Sequence, residues 1–103
     1  MADGPYVALL LVHLHFPEAG SLKGKRKDLA SVKAQLHGRM GCAVAEVDHQ
    51  DLWQRATLAA ALTGGSIAAL QRAVDGVERF LLDRFPESCR LEVTLRSYDE
   101  VWH

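Results

Sequence analysis

The sequence predicts an α+β domain whose elements run β-α-β-β-α-β. Three observations predict it. Four short apolar stretches alternate in hydrophobicity or are bounded by Pro, Gly and Asp. Two intervening segments repeat their apolar residues at helical spacing, each behind a serine. The 103 residues leave room for one domain and one core.

Tyr6 to Phe16, between Pro5 and Pro17, reads as the first strand. Tyr6, Ala8, Leu10, Val12, Leu14 and Phe16 share one face; Val7, Leu9, Leu11, His13 and His15 share the other. Apolar residues on both faces suggest a central strand. The loop Pro17-Glu18-Ala19-Gly20 follows. Ser21 caps the first helix, where Leu22, Leu29, Val32, Leu36 and Met40 form one stripe, and Gly38 and Gly41 bracket its end. Lys23, Arg26, Lys27, Lys33 and His37 flank the stripe. Lys25 points along the stripe itself, so it must snorkel or the first turn must be irregular.

Cys42 to Val47 reads as the second strand, Asp48 to Asp51 as a polar turn and Leu52 to Leu62 as the third strand. Leu52, Ala56, Leu58, Ala60 and Leu62 fall on one face of that strand, with Trp53, Arg55 and Thr57 on the other. Strict alternation puts Gln54 on the apolar side, which calls for a buried partner or a bulge near the turn. Ser66 caps a second helix with a stripe of Ile67, Leu70, Val74, Val77 and Leu81, and Pro86 stops it. Cys89, Leu91, Val93 and Leu95 alternate with Arg90, Glu92, Thr94 and Arg96 in a fourth strand, and the tail carries Tyr98 and Trp102.

This order is the ferredoxin-like βαββαβ pattern: a four-stranded antiparallel sheet with two helices on one face and the first and third strands central. The other face has no helix of its own. Alternation places Leu9, Leu11, His13, His15, Glu46, Asp48, Trp53, Arg55, Arg90, Arg96 and Tyr98 there.

Composition narrows the function classes. Hydrophobic residues make up 49% of the chain, which fits an ordinary globular domain and excludes disorder. Two cysteines are too few for a disulfide-stapled secreted domain, so a reducing cytoplasm is expected. The start Met1-Ala2-Asp3-Gly4-Pro5 lacks a basic signal-peptide region, and the run Tyr6 to Phe16 is too short for a membrane span. Net charge is −1, but residues 1–40 hold six Lys/Arg against three Asp/Glu, while residues 41–103 hold six against ten. Every lysine lies between Lys23 and Lys33. Such a chain can touch phosphates locally but would not coat nucleic acid indiscriminately.

The segments Ser21-Leu22-Lys23-Gly24-Lys25-Arg26 and Val44-Ala45-Glu46-Val47-Asp48-His49-Gln50-Asp51-Leu52-Trp53-Gln54-Arg55-Ala56-Thr57-Leu58 resemble the YlxP-like family of small bacterial proteins. The resemblance covers nearly the whole chain. Members are often encoded among translation-initiation and ribosome-maturation genes, which implies a cytoplasmic role near the small ribosomal subunit. Gly24 departs from the family pattern, which usually has Glu there; it removes half of a capping box and adds about 1 kcal/mol of helix cost.

Lys23, Lys25, Arg26, Lys27 and Lys33 are the candidate phosphate or RNA contacts. A solvated helix face is the bland alternative, although cations at a helix start oppose the dipole. His13, His15, Asp48, His49, Gln50, Asp51, Trp53 and Arg55 are the candidate partner-binding residues. His13 and His15 are expected near Glu46 or Asp48, yet two histidines on one strand make a weak metal signal. Asp48 to Asp51 fits a plain turn as well as a recognition loop, and an acid/base pair is the third reading of the same residues. Trp53 and Arg55 could be a cross-strand cluster with Glu46 or a contact anchor. Cys42 and Cys89 fall on the two edge strands and read as packing residues. An acylphosphatase-like site would need an Arg in the first loop and an Asn, and the chain has no Asn. No complete nucleophile, base or ligand set is present, so no catalytic residue, metal or cofactor is expected.

Two functions remain. One is a non-enzymatic factor that binds RNA or protein of the small ribosomal subunit during maturation. The other is an interaction module that forms a homodimer through the open sheet face, with Leu9, Leu11, Trp53 and Tyr98 as its apolar patch.

Overall fold

A computed structural model describes residues 4–17 and 20–102. Met1, Ala2 and Asp3, and Glu18 and Ala19 of the first loop, lie outside the described residues. The elements are β1 (Tyr6–His15), α1 (Leu22–Gly38), β2 (Ala43–Asp48), β3 (Arg55–Gly64), α2 (Ile67–Arg84), β4 (Cys89–Ser97) and α3 (Tyr98–Trp102). The strands form one antiparallel sheet in the order β2-β3-β1-β4, so β1 and β3 are central.

The helix starts follow from local chemistry. Ser21 Oγ accepts from Gly24 N–H at 3.1 Å, and Ser66 Oγ accepts from Ala69 N–H at 3.2 Å. Gly41 ends the α1 region in the left-handed conformation, φ 71°, with its N–H on His37 O and Cys42 N–H on Leu36 O. Leu29, Val32 and Leu36 of α1 and Leu70, Val74, Val77 and Leu81 of α2 are buried. They join Ala8, Leu10, Val12, Leu14 and Phe16 of the β1 region and Ala56, Leu58, Ala60 and Leu62 of β3 in one core. Both long helices therefore cover the same sheet face. Ile67, expected in the α2 stripe, is instead exposed.

Three expectations are corrected. First, β3 begins at Arg55, so Leu52, Trp53 and Gln54 belong to the connecting loop. Second, a register shift in β2 places Glu46 opposite Leu58 and Asp48 opposite Thr57. The bulge at Val47 turns Glu46 to the helix side and Asp48 to the open side. It also removes the Gln54 conflict, because Gln54 is exposed in the loop. Third, the tail forms a third helix. Ser97 N–H donates to Glu100 Oε1 at 3.0 Å and Glu100 N–H to Ser97 Oγ at 3.3 Å, a reciprocal capping box. The bonds from Ser97 hold the Glu100 carboxyl below the usual carboxylate range.

No described helix is long and apolar enough to cross a membrane. The side of the sheet away from α1 and α2 leaves Leu9 half exposed.

Leu58 is fully buried at the centre of the core. Leu58→Ala should cost about 2–5 kcal/mol, measured as a lowered urea midpoint with an unchanged slope.

Candidate functional site

Lys25 is the key to the hairpin. It sits in the first turn of α1 on the same stripe as Leu29, Val32 and Leu36, and it is 0% exposed. Its ammonium donates to His49 O at 2.7 Å and to Leu52 O, and lies 3.8 Å from Glu46 Oε2. A lysine can be buried because these oxygens replace water. Lys25 thus departs from the expected phosphate-contact set: it faces the protein and ties α1 to the β2–β3 loop.

The loop is shaped from both sides. His49 has φ 63°, a left-handed conformation that non-glycine residues adopt at a cost of about 1–3 kcal/mol. Its N–H donates to Asp48 Oδ1 at 2.8 Å, and its carbonyl accepts from Leu52 N–H at 3.1 Å as well as from Lys25. The carbonyl's two lone pairs are both used.

This tether brings the two expected regions together. Lys23, Arg26 and Lys27 are exposed, and Lys33 is half-buried. Arg26 and Lys33 line a hollow of about 320 Å³ with Glu46 and Gln50. The basic flank of α1 therefore adjoins the hairpin. Gln50, Asp51 and Trp53 are exposed on that loop. Trp53 is not a sheet residue and does not share a strand face with Arg55. Glu46 faces Lys25 rather than either of them.

The second constellation lies on the open sheet face. A groove of about 610 Å³ is lined by His13, His15, Asp48, His49, Arg55 and Arg90, with Leu11, Val47 and Thr57 among its apolar and hydroxyl surfaces. Strand register sets Arg55 opposite His15 and Arg90 opposite His13. The carboxylate beside His13 is Glu92, at 2.6 Å from Nε2, and neither Glu46 nor Asp48. The reason is topological: β1 lies between β3 and β4, so β2 is never its neighbour. The hydrogen bond from His13, aided by the charge of Arg90 3.5 Å away, holds Glu92 below the usual carboxylate range. Thr57 Oγ1 stands 3.5 Å from His13 Nδ1 on the other side. Glu92 is the residue the sequence reading missed. Its alternation with Leu91 and Val93 was a sufficient signal for the face, but not for the partner.

Cys42 and Cys89 are both free. Cys89 borders the groove, but burial pushes its thiol up to about 11, so it stays protonated. Burial also raises the Cys42 thiol. Among the described residues, no three His, Cys, Asp or Glu side chains converge to hold a metal ion.

A family model described as a protein of unknown function, DUF503, matches residues 7–94. The chain belongs to this family. It is 31% identical over 70 residues to the uncharacterized protein YlxP of Bacillus subtilis (strain 168), covering 68% of this chain and 75% of that protein. The family span takes in both the Lys25 tether and the groove. Among solved structures, the de novo designed protein Foldit4 is similar at a TM-score of 0.62 and 9% identity, over 91% of this chain and 98% of that one. A mutant of SnoaB, a cofactor-independent oxygenase from Streptomyces nogalater, is similar at 0.51 and 15% identity, over 93% of each chain. At these identities the likeness concerns the fold alone.

Lys25→Met keeps the buried stem but leaves two carbonyls and the part-buried Glu46 without their cation. It should destabilise the fold by roughly 3 kcal/mol, measured by denaturant unfolding. Lys27→Met, on the exposed flank, should change stability by less than about 0.5 kcal/mol.

Proposed function

We propose that this chain is a non-enzymatic binding factor with a ferredoxin-like fold that docks on the small ribosomal subunit during its maturation in the cytoplasm. Its contact with RNA phosphates would be made by Lys23, Arg26, Lys27 and Lys33. The observation that supports this reading is the division of labour among the lysines. Lys25 turns inward and fixes the hairpin, while Lys23, Arg26 and Lys27 stay exposed on the same helical turn. The side chains available to phosphate are thereby held on a braced helix start beside the exposed Gln50, Asp51 and Trp53. Cations at a helix N-terminus oppose its dipole, so their clustering there needs a reason other than helix stability. The gene context of YlxP-like proteins favours a ribosomal partner. Contacts of this kind are electrostatic and tolerant of sequence.

A second reading, a homodimer through the open sheet face, draws on one observation. Leu9 is 49% exposed beside a shallow hollow lined by Ala43, Ala45, Ala59 and Ala61. Light scattering at two protein concentrations distinguishes a monomer from that dimer.

Cosedimentation with 30S particles tests the first reading. Neutralising four phosphates predicts a fall in affinity of roughly 50-fold between 50 and 200 mM salt. The triple variant Lys23→Glu/Arg26→Glu/Lys27→Glu should retain the fold and lose binding. Unchanged cosedimentation of a folded triple variant would rule the reading out.

A further inference from the structure

We propose that the polar end of the open sheet face is a binding site for a phosphate monoester on a molecule of about mononucleotide size. The proposal concerns a different surface from α1 and does not depend on the RNA reading.

The central observation is a block of four cationic or protonatable side chains across three neighbouring strands. Arg55 on β3 faces His15 on β1, and His13 on β1 faces Arg90 on β4. Directly opposed side chains in a sheet stand about 4.5–5.5 Å apart at Cβ. The register therefore gathers two guanidinium groups and two imidazoles over one small area of the open face. One carboxylate, Glu92, serves two of the four, at 2.6 Å from His13 and 3.5 Å from Arg90. Among the described residues Arg55 and His15 make no side-chain hydrogen bond or ion pair. Two acids also line the groove, Asp48 and Glu87. Asp48 is turned onto its own loop, accepting from His49 N–H at 2.8 Å and lying 3.8 Å from His49 Nε2, and forms no ion pair with Arg55.

The chemistry of the donors selects the ligand. A carboxylate has two oxygens, which one guanidinium fork satisfies. A terminal phosphoryl group carries about two charges on three oxygens, enough for the Arg55 fork and for further donors from His15 and His49. The groove of about 610 Å³ exceeds what a bare phosphate needs and falls in the range of small-molecule sites. Leu11 and Val47 offer apolar surface for a ring attached to the phosphate. The walls are set in advance. His49 and Glu87, the described non-glycine residues with positive φ, both at 63°, both line this groove. Lys25 holds the His49 carbonyl from the opposite side. Strain concentrated at a concave surface, and braced from behind, fits a preorganised site.

Amide NMR titration of the full chain tests this with inorganic phosphate, 5′-AMP and adenosine. Phosphate and 5′-AMP should shift the amides of His13, His15, His49, Arg55 and Thr57, and adenosine should not. Arg55→Gln lies at an exposed strand start, so it should keep the melting temperature and weaken 5′-AMP binding at least roughly tenfold. Lys23→Glu/Lys27→Glu should leave 5′-AMP binding unchanged, even if it abolishes 30S binding. A 5′-phosphorylated short oligoribonucleotide compared with its 5′-hydroxyl form separates the two sources of the group. Shifts with both 5′-AMP and the phosphorylated oligomer, or with either alone, support the site and identify its source. Three results would overturn the proposal: no shift up to about 10 mM of any phosphorylated probe, equal shifts with adenosine, or full affinity in Arg55→Gln.

Discussion

One buried ammonium sets the geometry of the functional end of this molecule. Lys25 takes the place of a core hydrophobe on α1 and spends its hydrogen bonds on the His49 and Leu52 carbonyls, with Glu46 close by. A charge fully removed from water is tolerated only when its partners are fixed. The requirement acts in both directions: the loop gives the lysine its oxygens, and the lysine gives the loop its shape. His49 can then hold a left-handed backbone, and β3 can start at Arg55 with a defined register against β1. The same contact leaves the neighbouring basic residues of the helical turn pointing outward.

The bulge at Val47 complements that tether. An uninterrupted β2 would have put Glu46 and Asp48 on the same face. The register shift divides them, sending Glu46 to Lys25 and Asp48 to the groove. One extra residue thus supplies a counter-charge on the packed side of the sheet and a loop anchor on the other. The two surfaces of interest, the braced helix start and the open-face groove, meet at His49, whose carbonyl serves one and whose ring lines the other.

Much of this was legible in the sequence, and the limits are physical. Period-2 and period-3.6 patterns located four strands and two long helices, because core-facing residues must recur at those intervals. Alternation also placed His13, His15 and Arg55 on the open face. The wheel conflict at Lys25 was visible, since a lysine on an apolar stripe has to find oxygens somewhere. Which oxygens it finds depends on a loop 24 to 27 residues away, which no local rule reaches. Likewise the His13–Glu92 contact joins residues 79 apart and is fixed by strand register alone. The bulge hid inside an ordinary alternating run and misplaced Glu46, and the hairpin boundary moved with it. The short α3 had a readable sign in the Ser97–Glu100 spacing, but a five-residue helix carries too little periodicity to draw notice.

The Lys25 tether can be observed directly by ¹⁵N NMR of lysine ammonium groups in the intact protein. The chain has four lysines, so the spectrum is simple. One ammonium, assigned to Lys25, should exchange its protons slowly with water and show cross-relaxation to the backbone around His49 and Leu52, while the other three exchange rapidly. Four equivalent, rapidly exchanging signals would contradict the tether, and with it the geometry assigned to the hairpin and to both surfaces it joins.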